Sequence, residues 1–206
     1  MNISGLGRLA ALTILTAAAA GCVAGPRVSP VEVTRFHQSA AIAQLGTGTV
    51  FIETAPGVEA DAAEVAAYKA AVAAELAELG YRETSREEAD QIAQVRVERY
   101  IAKPAQRRNP VSVGGGASTG SFGSGVGLGI GINLGGGSRE MIGTDLGVML
   151  RDKQSGNVVW EGRASISVSD NSDFADNSAN ASVIADALFR EFPGNNGETV
   201  EVRVAN

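Results

Sequence analysis

The sequence GTDLGVMLRDKQSGNVVWEGRAS, residues 143–165, joins two apolar segments through a short polar connector. Residues 144–151 and 158–168 are rich in apolar and β-branched side chains, which is typical of strands. The connector contains turn-forming residues, and Gly156 is available for a positive φ. We therefore predict a β-hairpin here. Trp160, the single tryptophan, is expected to pack in the core, and stacking on a ligand is the alternative.

Helical periodicity appears on both sides of this hairpin. Residues 59–79 carry apolar side chains three and four positions apart, so these side chains share one helix face. Gly80 follows at the position where a glycine commonly ends a helix. Residues 179–191 form a second predicted helix, which Pro193 and Gly194 terminate. The expected inward-facing side chains are Val65, Tyr68, Val72, Leu76 and Leu79 in the first helix and Val183, Ile184, Ala187, Leu188 and Phe192 in the second.

Further strands are predicted from β-branched or alternating segments at residues 31–36, 47–53, 92–101 and 198–204. Strands and helices in this order favour an α+β fold. We predict an antiparallel sheet with two covering helices and a Gly-rich insertion.

The second half of the chain also resembles a known family. The hairpin 150–164, the Gly-rich tract before it and the later helix ending in FREFPG are similar to the DUF4136 family of bacterial lipoproteins. The resemblance implies an α+β domain of the cell envelope. It carries over no catalytic residues.

The amino-terminal residues 1–21 have the three parts of a secretory signal peptide. A positively charged start is followed by an apolar stretch and then by small residues. A buried amino-terminal helix is the alternative, but the segment has no amphipathic stripe.

The last small residues form AAGC, ending at Cys22, the only cysteine in the chain. This motif resembles the bacterial lipobox, which implies cleavage before Cys22 and acylation of that residue. Several acyl chains anchor a protein stably to a membrane. An ordinary signal-peptidase site beside a chance cysteine is the alternative. Val23 follows in place of Asp, which by resemblance to Gram-negative lipoproteins implies the periplasm-facing outer membrane. The predicted organisation is a signal peptide at 1–21, a lipidated tether at 22–31 and an envelope domain at 32–206.

A Gly-rich segment, residues 111–138, interrupts the predicted sheet. Part of it alternates apolar residues with glycine or asparagine, a period typical of a strand. A flexible loop or hairpin, an edge strand that pairs with a partner, and a membrane-inserting hairpin all fit this pattern. The spacing of its glycines matches neither a dinucleotide fingerprint nor a P-loop. Its possible contact element is Val126, Leu128, Ile130, Ile132 and Leu134.

The composition limits the chemistry that the chain can perform. A net charge of -6 without a basic stripe argues against nucleic acid as a partner. His37 is the only histidine, so a nucleophile and base pair is not predicted. Asp170, Asp173 and Asp176 could offer oxygen ligands to Ca²⁺, but their spacing does not match an EF-hand loop, and a solvated loop is favoured. We predict no catalytic residues, no metal and no cofactor.

The function predicted from these observations is that of a lipid-anchored outer-membrane lipoprotein. It would act as a non-enzymatic structural or interaction module in the envelope, through an envelope protein partner or self-association. The alternative is an oligomeric subunit of a pore or secretion system that inserts the Gly-rich segment as a membrane hairpin.

Overall fold

The structure is a computed structural model that describes residues 25–58, 61–102 and 140–204. One seven-stranded sheet has the strand order β3-β2-β4-β5-β6-β1-β7, and two helices cover one of its faces. The predicted α+β class is confirmed. The strands are β1 Val31–His37, β2 Thr49–Thr54, β3 Arg82–Glu83, β4 Gln91–Ala102, β5 Met141–Asp152, β6 Val158–Ser169 and β7 Thr199–Val202; the helices are α1 Ala62–Glu78 and α2 Asn177–Phe189, with 3₁₀ turns at Ser39–Gln44 and Asp173–Ala175.

The sheet is mixed, so the prediction of an antiparallel sheet is only partly right. β2 runs parallel to both of its neighbours, β3 and β4, and the other pairs are antiparallel. The cause is α1, which follows β2 and returns the chain to the end of the sheet where β2 began. A strand that re-enters the sheet after such a helical crossover must run parallel.

The first helix begins later than predicted, at Ala62, because Asp61 caps it. The Asp61 carboxylate accepts hydrogen bonds from the backbone N–H groups of Ala63, at 2.8 Å, and Glu64, at 3.2 Å. This satisfies two of the donors that every helix amino terminus leaves without a partner. Gly80 follows the carboxyl end of this helix and has φ +105°, as predicted for a glycine that ends a helix. The predicted inner face is confirmed, since Val65, Tyr68, Val72 and Leu76 are buried.

The β5–β6 hairpin forms the middle of the sheet, and Trp160 is fully buried beneath the helices. Its ring stacks on Phe189 of α2, with centroids 5.3 Å apart, and lies 5.2 Å from the ring of Phe192. Gly156 has φ +72° in the connecting turn, as predicted. The core position of Trp160 is therefore confirmed.

Residues 27–31, which the sequence assigned to the tether 22–31, contact the sheet. The backbone N–H of Arg27 donates to Ser169 Oγ at 2.9 Å, and Val28 forms a bridge with Val168. Val31 is fully buried in β1. Alternation alone does not reveal these contacts, since residues 27–30 gain their order from pairing with the distant strand β6.

Several predicted features lie outside the described residues. These are the signal peptide 1–21, Cys22, and the Gly-rich segment 111–138 with Val126, Leu128, Ile130, Ile132 and Leu134. Among the helices that the structure describes, none is long and apolar enough to cross a membrane.

Candidate docking surface

One face of the sheet has no described helix over it, and we call it the open face. Side chains alternate along each strand, so residues such as Val97, Leu146 and Ala164 point to the helices and are buried. Their sequence neighbours point the other way. Five neighbouring strands of the sheet, in the order β4, β5, β6, β1 and β7, present mainly charged and small polar side chains on the open face.

The strand register arranges these side chains in two neighbouring rows that cross the sheet. Successive rows are separated by two residues, or about 6.6 Å along the strands. Acidic side chains dominate one row and arginines mark the other. The acidic row is Glu98, Asp145, Ser165, Glu32 and Glu201, and the arginine row is Arg96, Gly147, Arg163, Thr34 and Thr199.

The acidic row sets like charges directly opposite one another. Glu98 pairs across strands with Asp145, and Glu32 pairs with Glu201. Directly opposed like charges destabilise a sheet. Ser165 Oγ donates to Asp145 Oδ1 at 2.6 Å, but no described residue forms an ion pair with any of these four carboxylates. The acidic row thus concentrates negative charge on the open face, and the described residues supply no ion-pair partner for it.

Tyr100 lies beside the acidic row, and both its burial and the negative charge of that row affect the pKa of its phenol. Burial, followed by the nearby Asp145 carboxylate, raises the pKa of the Tyr100 phenol. The ring covers the bare backbone of Gly143, where an added Cβ would lie 2.5 Å from Tyr100 Cε2. Tyr100 is 43% exposed, and Phe36, elsewhere on the open face, is 41% exposed. Two large aromatic side chains therefore flank the charged rows.

The two arginines of the arginine row differ in their pairing. Arg163 is engaged by Glu161, with Nε donating to Oε1 at 2.7 Å. Arg96 forms no hydrogen bond or ion pair through its side chain with another described residue. A groove of about 640 Å³ runs between these arginines over β4, β5 and β6. Gly147 contributes no side chain to it, so the groove follows the backbone of the sheet.

A second polar cluster lies on the helix side and is buried. Tyr68 Oη donates to Asn180 Oδ1 at 2.9 Å, and Asn180 Nδ2 donates to the Phe174 carbonyl at 3.0 Å. Arg99 donates from Nη2 to the Ala175 carbonyl at 2.9 Å. Burial is the main cause that raises the pKa of the Tyr68 phenol. These bonds tie α1 to α2 and to the preceding turn, so the cluster is structural.

The lone histidine lies at a structural corner. His37 Nε2 is 3.2 Å from the Gly194 carbonyl, and the His37 backbone N–H donates to Asn196 Oδ1 at 3.0 Å. Trp160 Nε1 donates to the Pro193 carbonyl of the same corner at 3.0 Å. These contacts account for His37 and Trp160 as side chains that hold the turn after α2.

Arg35 belongs to this corner, and sequence analysis missed it. It is 5% exposed and donates to the carbonyls of Leu188 at 2.8 Å, Ala187 at 3.1 Å and Arg190 at 2.6 Å. Burial lowers the pKa of its guanidinium, against the opposite effect of Glu191 and Glu198. The cation therefore caps the carboxyl end of α2, where the helix dipole favours positive charge.

Of the aspartates considered as Ca²⁺ ligands, Asp170 follows β6, Asp173 lies in the 3₁₀ turn and Asp176 immediately precedes α2. Asp176 caps the helix, accepting from the backbone N–H groups of Ser178 at 2.9 Å and Ala179 at 3.2 Å. Ser172 caps the preceding 3₁₀ turn that includes Asp173. Within the described ranges, no group of three or more His, Cys, Asp or Glu residues is arranged to hold a metal.

Residues 32–194 match the family described as a domain of unknown function, DUF4136. The chain belongs to the DUF4136 family. The match spans every described element from β1 to α2, which is more of the chain than the second-half resemblance had covered.

The solved structures similar to this DUF4136 domain include proteins from two organisms. Two are PelC dodecamers from Paraburkholderia phytofirmans, one of them a single-residue variant. They share 16% and 13% identity, cover 77% of this chain and 94% of theirs, and have TM-scores of 0.43. A PDZ domain protein from Parabacteroides distasonis ATCC 8503 has 15% identity and a TM-score of 0.49, covering 85% of this chain and 38% of its own. No curated protein matches the sequence.

The open face of the DUF4136 domain was not predicted, although each of its strands was. Its rows depend on which residues of distant strands pair with one another, and alternation within one strand does not give that register. A local signal did exist for Arg35, because it falls in step with the inward-facing Val31 and Val33.

Proposed function

We propose that this DUF4136 protein is a lipid-anchored, periplasm-facing lipoprotein of the outer membrane that acts as a non-enzymatic interaction module. Its docking surface is the open face of the sheet. The observation that carries the proposal is the acidic row beside the arginine row, with Glu98 opposite Asp145 and Glu32 opposite Glu201. Such pairs weaken the isolated sheet. A partner that places positive charge over them would remove that cost.

The anchor is supported by the sequence around Cys22 and by the position at which the domain begins. Only residues 23–26 separate Cys22 from Arg27, whose backbone N–H donates to Ser169 at the end of β6. The five residue steps from Cys22 to Arg27 span at most about 18 Å when fully extended. An acylated Cys22 would therefore hold this end of the sheet close to the membrane.

One observation favours a second candidate function, an oligomeric pore or secretion subunit. Ala102 pairs with Met141, Met141 pairs with Ser169, and Ser169 also contacts Arg27. Segment 103–139 is thus attached at the same end of the sheet as the proposed anchor. Leakage from liposomes tests this candidate: release of an entrapped dye by the wild type, lost on deletion of 111–138, would favour the pore over the docking module.

Acylation is tested by labelling cells with an alkyne analogue of palmitate. We expect label in the wild type, none in Cys22→Ser, and label in the matched control Ser39→Ala, which changes an exposed residue beyond the tether. The labelled protein should fractionate with the outer membrane. An unlabelled wild-type protein would remove the anchor and the proposed location together.

Docking is tested by a photoreactive amino acid placed in the full chain. Position Ser167 lies on the open face, and position Ala70 is an exposed control on α1. Irradiation of cells should give a discrete adduct from position 167 and none from position 70. If neither position gives an adduct, or both give the same one, the open face is not the docking surface.

A further inference from the structure

We propose that a second copy of this chain docks on the open face, so that two sheets pack face to face about a two-fold axis. This inference rests on the proposed function, because it names the partner of the same surface. It follows from the order of the two charged rows.

The two-fold axis lies midway between the two facing sheets. It runs across the strands, parallel to the two rows and between them. Rotation about it brings the acidic row of one copy over the arginine row of the other, and the reverse contact forms at the same time. Such an isologous interface needs a surface that is complementary to itself. Strands β4 to β6 meet that condition, because Glu98 and Asp145 come to lie over the part of the other row that holds Arg96 and Arg163, whereas Glu32 and Glu201 face Thr34 and Thr199.

The register gives the facing residues. Arg96 of each copy faces Glu98 of the other, and Asp145 faces Gly147, where the missing side chain leaves room for the carboxylate. Arg163 of each copy faces Ser165 of the other copy and lies beside Asp145 of that other copy. Neither Arg96 nor Glu98 has an ion-pair partner among the described residues of its own copy. Packed sheets cross at about 30°, so pairs near the centre of the sheet will be closest and those on β7 farthest apart.

The flanking side chains also suit this packing. Tyr100 faces Gln94 in the neighbouring copy, and Phe36 faces Pro30. Met149 faces Gly143 of that copy, which the Tyr100 ring covers. Aromatic and methionine side chains are enriched at protein interfaces. Five strands about 4.8 Å apart and four rows about 6.6 Å apart give roughly 600 Å² per copy. The total of roughly 1,200 Å² lies at the lower end for specific interfaces, so the dimer is expected to be weak.

The test uses the full chain in cells, with the photoreactive residue at position 167 and two different epitope tags on co-expressed copies. The wild type should give an adduct that carries both tags. Arg96→Glu alone sets two carboxylates against each other across the interface, and Glu98→Arg alone sets two guanidinium groups against each other. Each single variant should reduce the doubly tagged adduct by roughly tenfold or more, because like charges then face each other twice.

Two combinations separate this geometry from general damage. The double variant Arg96→Glu/Glu98→Arg restores opposite charges and should restore the adduct. Co-expression of the two single variants should also restore it, now only between differently tagged copies. Unchanged adduct in the single variants, or no recovery in either combination, would overturn the two-fold packing. An adduct with a different protein would overturn it while leaving the docking role intact, and no adduct at all would overturn both.

Discussion

Gly162 is the position at which packing beneath the helices can be tested most sharply. A Cβ added there would lie 2.3 Å from Trp160 Cη2 and 2.8 Å from Leu188 Cδ1. The Trp160 ring cannot move aside, because it is fully buried, stacks on Phe189 and donates to the Pro193 carbonyl. Overpacking of a core costs about 1–3 kcal/mol, and we expect Gly162→Ala to reach the upper end of that range. For a domain of this size, about 3 kcal/mol lowers Tm by about 6–12 °C.

Gly147→Ala is the matched control, since Gly147 belongs to the same hairpin but faces the other side of the sheet. The nearest atom to its added Cβ would be Arg96 Cβ at 3.9 Å, an ordinary contact. Replacing a strand glycine by alanine then gains about 0.5–1 kcal/mol. Thermal unfolding followed by circular dichroism and by the fluorescence of the single tryptophan measures both variants. Equal Tm values for the two variants would refute this account of Trp160 packing.

The remaining predictions concern α2, its termini and the charges between the helices. Arg35→Met should destabilise the fold by about 3 kcal/mol or more, because three carbonyls lose a buried donor, whereas the exposed Arg82→Met should change stability by less than about 0.5 kcal/mol in urea unfolding. Asp176→Ala should lower the free energy of unfolding by about 1 kcal/mol in the same assay, since the α2 cap is lost. Asp176→Asn should keep most of that stability, because asparagine also caps helices. Burial, then Asp186 and Glu78, raises the pKa of the Glu75 carboxyl in the folded protein. Stability should therefore fall as pH rises from about 4.3, the ordinary value for Glu, through the raised pKa. Glu75→Gln should remove that part of the decline and stabilise the protein at pH 7 by about 0.5 kcal/mol or less, since the side chain is partly exposed; an unchanged pH profile would contradict the assignment.

The features that the sequence predicted correctly depend on neighbours along the chain. Tyr68 and Val72 belong to a helical period, Gly80 and Gly156 mark a helix end and a turn, and the hairpin follows from two apolar segments around a polar connector. The features that it missed depend on contacts between distant residues.

Two residues show where local patterns end. Arg35 becomes a helix cap only because β1 lies beneath the carboxyl end of α2. Glu98 becomes part of an acidic row only because its strand pairs with β5 in one register out of several. The parallel pairing of β2 was missed for a different reason. The order strand, helix, strand was correctly predicted, and a helical crossover between two strands of one sheet makes them parallel.

Carboxylate footprinting tests most directly whether the open face is occupied where the protein functions. Native membranes and dilute, detergent-dispersed protein would be treated with a carbodiimide and an amine, and the modified residues quantified by mass spectrometry. We predict that Glu98 and Glu32 are protected in membranes and become reactive on dispersal, whereas the exposed Glu78 and Glu83 react equally in both. Equal modification of Glu98 and Glu32 in the two samples would contradict the account.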